Sequence, residues 1–132
     1  AKAPTRRRVL LVEKEPKILT TPAALLSTDY DMVTAGSGGA ARDLLQHDRR
    51  FDAVLCDLMM AEVTGMDLHR TLAALDPGLA GRMVFMTGGA FTDAAERFLT
   101  AVPNPRVVKP FELPELLTIL GRVARAAPRS VE

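Results

Sequence analysis

The sequence predicts an α/β fold, a five-stranded parallel, doubly wound sheet in strand order 2-1-3-4-5 with helices on both faces. Three observations carry the prediction. Short apolar runs recur along the 132 residues, and most are continuous rather than alternating, as in strands buried on both faces. The runs alternate with segments whose apolar residues fall at helical spacing. Polar residues able to do chemistry stand at the ends of four of the runs, where sheets of this kind bind ligands.

Residues 1–7 read as a leader or linker, without periodicity. Arg8-Val-Leu-Leu-Val12 is the first strand. Pro16, a good first-turn residue, opens a helical pattern carried by Ile18, Leu19, Ala23, Leu25 and Leu26, with Pro22 bending it. Asp31-Met-Val-Thr-Ala35 is the second strand. Ser37-Gly-Gly leads into a helix over 40–46 with Leu44 and Leu45 inward. Phe51-Asp-Ala-Val-Leu-Cys-Asp57 is a third strand that ends in an acid. Gly65 opens a helix through Leu75 with Met66, Leu68, Leu72 and Leu75 at helical spacing, and Asp76-Pro77-Gly78 stops it. Met83-Val-Phe-Met-Thr87 is the fourth strand, followed by Gly88-Gly89 and a helix from Thr92 to about Ala101. Arg106-Val-Val-Lys109 is the fifth. After Pro110-Phe111 a last helix runs over about 113–126, with Leu116, Leu117, Leu120 and Val123 on one face, and 127–132 is a tail. Strict alternation of this kind favours the flavodoxin-like (βα)5 arrangement, with right-handed crossovers. The domain is expected to span 8–126.

Composition narrows the function. Hydrophobic residues are 48% and charged residues 25%, ordinary for a globular domain. Lys+Arg 17 against Asp+Glu 16 gives a net charge of +1, without the basic excess expected of a nucleic-acid binder. A single cysteine, Cys56, excludes an internal disulfide and a cysteine-rich zinc site. In its buried strand it reads as a small hydrophobe. His47 and His69 read as solvated helix residues, and Met60 as the methionine that would serve a partner surface if any does. No apolar stretch approaches the ~20 residues of a membrane span, and no signal peptide is visible. The expectation is therefore a cytoplasmic domain with no direct nucleic-acid or membrane contact.

The strand ends make one device. Glu13 follows the first strand, Asp57 ends the third, Thr87 the fourth and Lys109 the fifth. In the order 2-1-3-4-5 the first and third strands are neighbours where the strand order reverses, so Glu13 and Asp57 should be close, with Thr87 and Lys109 on the other side of Asp57. A carboxylate can attack phosphorus and form an aspartyl phosphate. Phosphoryl transfer needs charge neutralised on the equatorial oxygens, which a hydroxyl donor and a lysine supply. A nearby acid helps hold Mg2+.

The chain resembles a receiver domain of the two-component response-regulator family over roughly residues 8–126. The segments that carry the resemblance are Val9-Leu-Leu-Val-Glu-Lys-Glu-Pro16, Phe51-Asp-Ala-Val-Leu-Cys-Asp-Leu-Met-Met60 with Gly65, Phe85-Met-Thr-Gly88 and Val107-Val-Lys-Pro-Phe111. The resemblance implies that Asp57 is the phosphoacceptor, Thr87 the switch hydroxyl and Lys109 the phosphate-binding lysine. It implies Glu13, Asp57 and the Met59 backbone carbonyl as Mg2+ ligands, a cis bond before Pro110, and a histidine kinase or histidine phosphotransfer domain as partner in a phosphorelay. The Met86-Thr-Gly-Gly-Ala-Phe91 segment and the Val102-Pro-Asn-Pro-Arg106 approach look most like receivers of hybrid sensor histidine kinases, whose parent protein would be a kinase although this domain turns over no separate substrate.

Two positions depart from the family pattern. Lys14 stands where a second acid usually ligates the metal, so Mg2+ is expected to bind weakly or not at all, with the Lys14 ammonium within a few ångströms of Asp57 or Glu13. Arg106 stands where many stand-alone regulators carry a switching aromatic. Lys14 keeps a second reading open, a degenerate receiver acting as a phosphorylation-independent interaction module. Homodimerisation stays open as well. An aspartate-nucleophile phosphatase would need an acid at Met59, and a flavin carrier a Ser/Thr-rich loop where Glu13-Lys-Glu-Pro16 stands.

Overall fold

The structure, a computed structural model, describes residues 7–13, 29–60, 62–88 and 92–127. Its strands are β1 (Arg8–Val12), β2 (Asp31–Ala35), β3 (Ala53–Asp57), β4 (Met83–Thr87) and β5 (Arg106–Val108). Its helices are α1 (Gly38–His47), α2 (Gly65–Leu75), α3 (Pro77–Ala80), α4 (Asp93–Ala101) and α5 (Leu113–Arg125). The sheet order is β2-β1-β3-β4-β5 and every neighbouring pair is parallel. This is the doubly wound order expected from the alternation of runs. The helix expected from Pro16, and with it Lys14 and Gly89, lies outside the described residues.

The central strands β1, β3 and β4 are almost wholly apolar because each serves two cores, whereas the edge strands β2 and β5 carry exposed positions such as Asp31 and Arg106. Leu10, Val12, Val54, Cys56, Met83 and Phe85 point to the face covered by α1, α2, α3 and α4. Val9, Leu11, Ala53, Leu55, Val84, Met86 and Val107 point to the face covered by α5, through Leu116, Leu120 and Val123. Successive side chains of a strand alternate between faces, so a run buried on both sides has no polar position to spare.

The helices begin at residues suited to the task. The Ser37 hydroxyl accepts from the Ala40 N–H at 3.0 Å. Thr64 and Asp67 form a reciprocal capping box at α2, each side chain accepting at 3.1 Å from the other's backbone N–H. Thr92 caps α4 through the Ala95 N–H. Asp76 ends α2, its N–H donating to Leu72, and its side chain also caps α3, where Pro77 occupies the first turn. The Asp76-Pro77-Gly78 stop is thus also a start.

Two residues sit differently from their sequence reading. His69 is half-buried rather than solvated. Its ring lies 5.3 Å from Phe98 and 6.0 Å from Phe85, and Asn104 is its hydrogen-bond partner. Burial holds the imidazole pKa below its usual value, against a smaller opposing push from the Asn104 hydrogen bond. Asn104 in turn donates to the Ala80 and Met83 carbonyls, tying α3 and β4 to the approach to β5. Met60 is buried in the core, which removes it as a partner contact. Helical periodicity alone does not say which polar side chain of a helix lies over a neighbouring aromatic.

The far end of the sheet is closed by charge. Asp52 accepts from the Arg8 N–H at 2.7 Å and pairs with Arg7 at 3.3 Å, and Arg7 also donates to the Ala124 carbonyl at 2.7 Å. The backbone before β1 is thereby held to the end of α5. These contacts lie at the opposite end of the strands from the polar residues described next.

Candidate functional site

Register brings the strand ends together. Val12 pairs with Cys56 across β1 and β3, so Glu13, one residue on, lies level with Asp57. Asp57 pairs with Met86 and Thr87 with Val108, which puts Lys109 just beyond the Thr87 level. The Lys109 N–H continues the ladder by donating to the Thr87 carbonyl at 2.7 Å, as the Leu58 N–H does to Met86 at 2.9 Å. The Lys109–Pro110 peptide is cis.

Three charged side chains meet at this edge. The Lys109 ammonium donates to Glu13 Oε2 at 2.9 Å and to Asp57 Oδ2 at 3.1 Å. Glu13 is 0% exposed and Asp57 5%. Neighbouring strands lie about 4.8 Å apart, so a lysine leaving β5 must pass β4 to reach β3 and β1. Only a long, flexible stem does this. Burial by itself lowers the Lys109 pKa, but the hydrogen bonds and negative charge of Glu13 and Asp57 outweigh it and hold the ammonium above its ordinary value. The other Asp57 oxygen, Oδ1, accepts from the Met59 N–H at 3.2 Å, so the carboxylate is held from both sides.

Thr87 is 0% exposed, and its hydroxyl meets no hydrogen-bond partner among the described residues. A buried hydroxyl without a partner costs about 1–3 kcal/mol. Cys56 is fully buried beside Asp57, donating to the Asp57 carbonyl at 3.3 Å, and burial first, then the Asp57 and Glu13 charges, push its thiol pKa far up. Such a thiol is inert.

The loop from β3 to α2 is closed by glycine. The Gly65 N–H donates to the Leu58 carbonyl at 2.9 Å, and a side chain at Gly65 would place its Cβ 2.7 Å from the Asp57 carbonyl oxygen. Only glycine lets α2 start this close to the acid. Within the loop Glu62 has φ 64°, a left-handed conformation that non-glycine residues seldom take.

The donor set suits a hard cation. Two buried carboxylates converge on one positive charge, and oxygen ligands of this kind hold Mg2+. Among the described residues no group of three or more acidic, histidine or cysteine side chains is placed to hold a metal. The reading from strand ends brought Glu13, Asp57 and Lys109 to one place but set Lys109 beyond Asp57 only, and gave Lys14 a share of the neutralisation. Among the described residues Lys109 spans both acids; Lys14 lies outside them. Arg106 is exposed on the edge strand β5.

Similarity to known proteins follows the same lines. A family model described as the response regulator receiver domain matches residues 9–121. The heme response regulator HssR of Staphylococcus aureus is 32% identical over 117 residues, covering 88% of this chain and 50% of that protein. The probable transcriptional regulatory protein TcrX of Mycobacterium tuberculosis is 29% identical over 118 residues, covering 89% of this chain and 49% of that protein. The chain thus spans about half the length of the curated relatives it matches. Among solved structures, the receiver domain of a sensor histidine kinase from Pseudomonas aeruginosa, with a magnesium ion in its active-site cleft, superposes with a TM-score of 0.78 at 27% identity, covering 92% of this chain and all of that one (100%).

Proposed function

The chain belongs to the response regulator receiver family, the phosphoacceptor module of two-component signalling, and from that premise we propose that Asp57 is the residue that takes the phosphoryl group. The observation that carries the assignment is the convergence of Asp57, Glu13 and Lys109 at one strand edge. In the proposed transfer an Asp57 oxygen attacks phosphorus as the P–N bond of a phosphohistidine breaks. The leaving imidazole nitrogen keeps the electron pair, and the product is an acyl phosphate. The Lys109 ammonium, already at the Asp57 carboxylate, neutralises the phosphoryl oxygens. The Thr87 hydroxyl gains in the phosphorylated state the acceptor it lacks in this one, so its contact differs between states, as a switch requires.

Glu13 and Asp57, with the Met59 carbonyl, would hold Mg2+. When bound, the ion supplies further positive charge against the phosphoryl group. With Lys14 in place of a second acid, the proposed affinity is weak. Titration of Mg2+ into wild type and Lys14→Asp is expected to show markedly tighter binding and faster phosphorylation in the variant. Equal, tight binding by both would remove Lys14 from the account.

The partner is a histidine kinase or a histidine phosphotransfer domain. Likeness to the receiver of the Pseudomonas aeruginosa sensor kinase supports a place in a hybrid kinase. None of the described helices is long and apolar enough to cross a membrane, and the proposed location is the cytoplasm.

Intact-mass measurement after incubation with acetyl phosphate and Mg2+ tests the assignment. Wild type is expected to gain the mass of one phosphoryl group and Asp57→Asn none. A gain that persists in Asp57→Asn would overturn Asp57. No gain in wild type, combined with unchanged partner binding by Asp57→Asn, would leave the interaction-module reading.

A further inference from the structure

Gly38, the first residue of α1, has no place in the chemistry above, yet it is buried against the loop that leads away from Asp57. A side chain at Gly38 would put its Cβ 2.1 Å from the Val63 carbonyl oxygen and 2.9 Å from both the Val63 carbonyl carbon and Cβ. Two of these three atoms are backbone, so no rotamer relieves the contact. The two backbones would have to separate by about 1 Å, a large displacement in a close-packed interior.

The direction of that displacement follows from what is fixed. Helix α1 is anchored by Ala41 and Leu45 in the core and capped by Ser37. The loop beyond Asp57 is tied at its two ends, by the Leu58 N–H to Met86 and by the Gly65 N–H to Leu58. Between these ties it contains Glu62 in a left-handed conformation. A push at Val63 therefore bears on the side of the loop where Glu62, Met60 and Met59 stand. Met59 is the residue whose N–H holds Asp57 Oδ1.

We propose that Gly38 is a positioning residue for Asp57: the start of α1 bears on the Val63 carbonyl and sets the loop that aims the Met59 N–H at the Asp57 carboxylate. The assignment rests on Asp57 as phosphoacceptor. Gly39 is the natural control, because it shares the same helical turn and its added Cβ would meet nothing nearer than Ser37 Oγ at 4.0 Å.

The test uses the whole chain as wild type, Gly38→Ala and Gly39→Ala. Two quantities are read: the Met59 and Val63 amide resonances of the unphosphorylated protein, and the rate of phosphorylation by acetyl phosphate per folded molecule. A misplacement of about 1 Å can cost on the order of 100-fold in rate. Gly38→Ala is expected to move both resonances and to slow phosphorylation at least tenfold (the low side of that range), while the half-saturating donor concentration changes little. Gly39→Ala is expected to match wild type in both. A folded Gly38→Ala with wild-type Met59 and Val63 resonances overturns the proposal, and so does equal slowing by Gly39→Ala. If wild type itself takes no phosphoryl group, the assignment of Asp57 fails, while the amide shifts still decide whether Gly38 sets the loop. Should Gly38→Ala not fold, wild type with beryllofluoride and Mg2+ decides: the Gly38 amide is expected to shift together with Val63 and Met59, and an unmoved Gly38 amide overturns the proposal.

Discussion

Lys109→Met is expected to lower unfolding stability by about 3 kcal/mol at neutral pH in the presence of a metal chelator. The ammonium hydrogen-bonds two carboxylates that are almost wholly withdrawn from water. Methionine keeps most of the stem's packing and removes the charge, leaving two like charges facing each other. Breaking a buried pair by removing one partner costs about 3–5 kcal/mol, and the low end applies because Lys109 itself is partly exposed. The pH dependence fixes the sign. The Lys109 pKa is raised in the folded state above the ordinary 10.5, so its contribution is complete below about that value and is lost as the pH climbs through the raised one. Wild type should therefore show an alkaline loss of stability that Lys109→Met lacks. Urea unfolding at pH 7 and through the alkaline range measures both the loss at neutral pH and its alkaline dependence. A variant as stable as wild type at pH 7 would mean that the pair contributes nothing net to the fold.

Thr87→Val should separate stability from signalling, with opposite signs. The hydroxyl is fully buried and meets no partner among the described residues, so replacing it with a methyl group removes an unmet desolvation cost. The variant is expected to be more stable than wild type by about 1 kcal/mol. It should still accept the phosphoryl group at Asp57, because the nucleophile and Lys109 are untouched. What it should lose is the structural response: the phosphate-dependent amide shifts seen in wild type should be largely absent around β4 and the loop after it. Thermal unfolding and NMR with beryllofluoride read the two effects. A less stable Thr87→Val would show that the hydroxyl is satisfied in the resting protein, and full phosphate-dependent shifts would show that it is not the switch.

Much of this was legible in the chain itself. The three central strands were readable because a strand that serves two cores must be apolar nearly throughout, as Val9–Val12 and Val54–Cys56 are, and the two edge strands as short apolar runs at the same spacing. Their order followed from the alternation with helices, and once the order is set, Glu13 and Asp57 are neighbours by register. The polar residues at the strand ends needed no structure to be found, since an acid, a hydroxyl and a lysine interrupt apolar runs. Other features could not be read this way. That Lys109 crosses β4 to hold both acids depends on a side-chain path, which no periodicity encodes. That His69 lies against Phe98 and Phe85 depends on how α2 and α4 meet over β4. The glycines divide in the same manner. Gly38 and Gly39 are adjacent and identical in sequence, yet one backs onto the Val63 backbone and the other faces open space. Sequence determines which residues a strand or helix can bury. Only packing decides which atoms of two different elements come within van der Waals distance, because that distance is set by all the elements together.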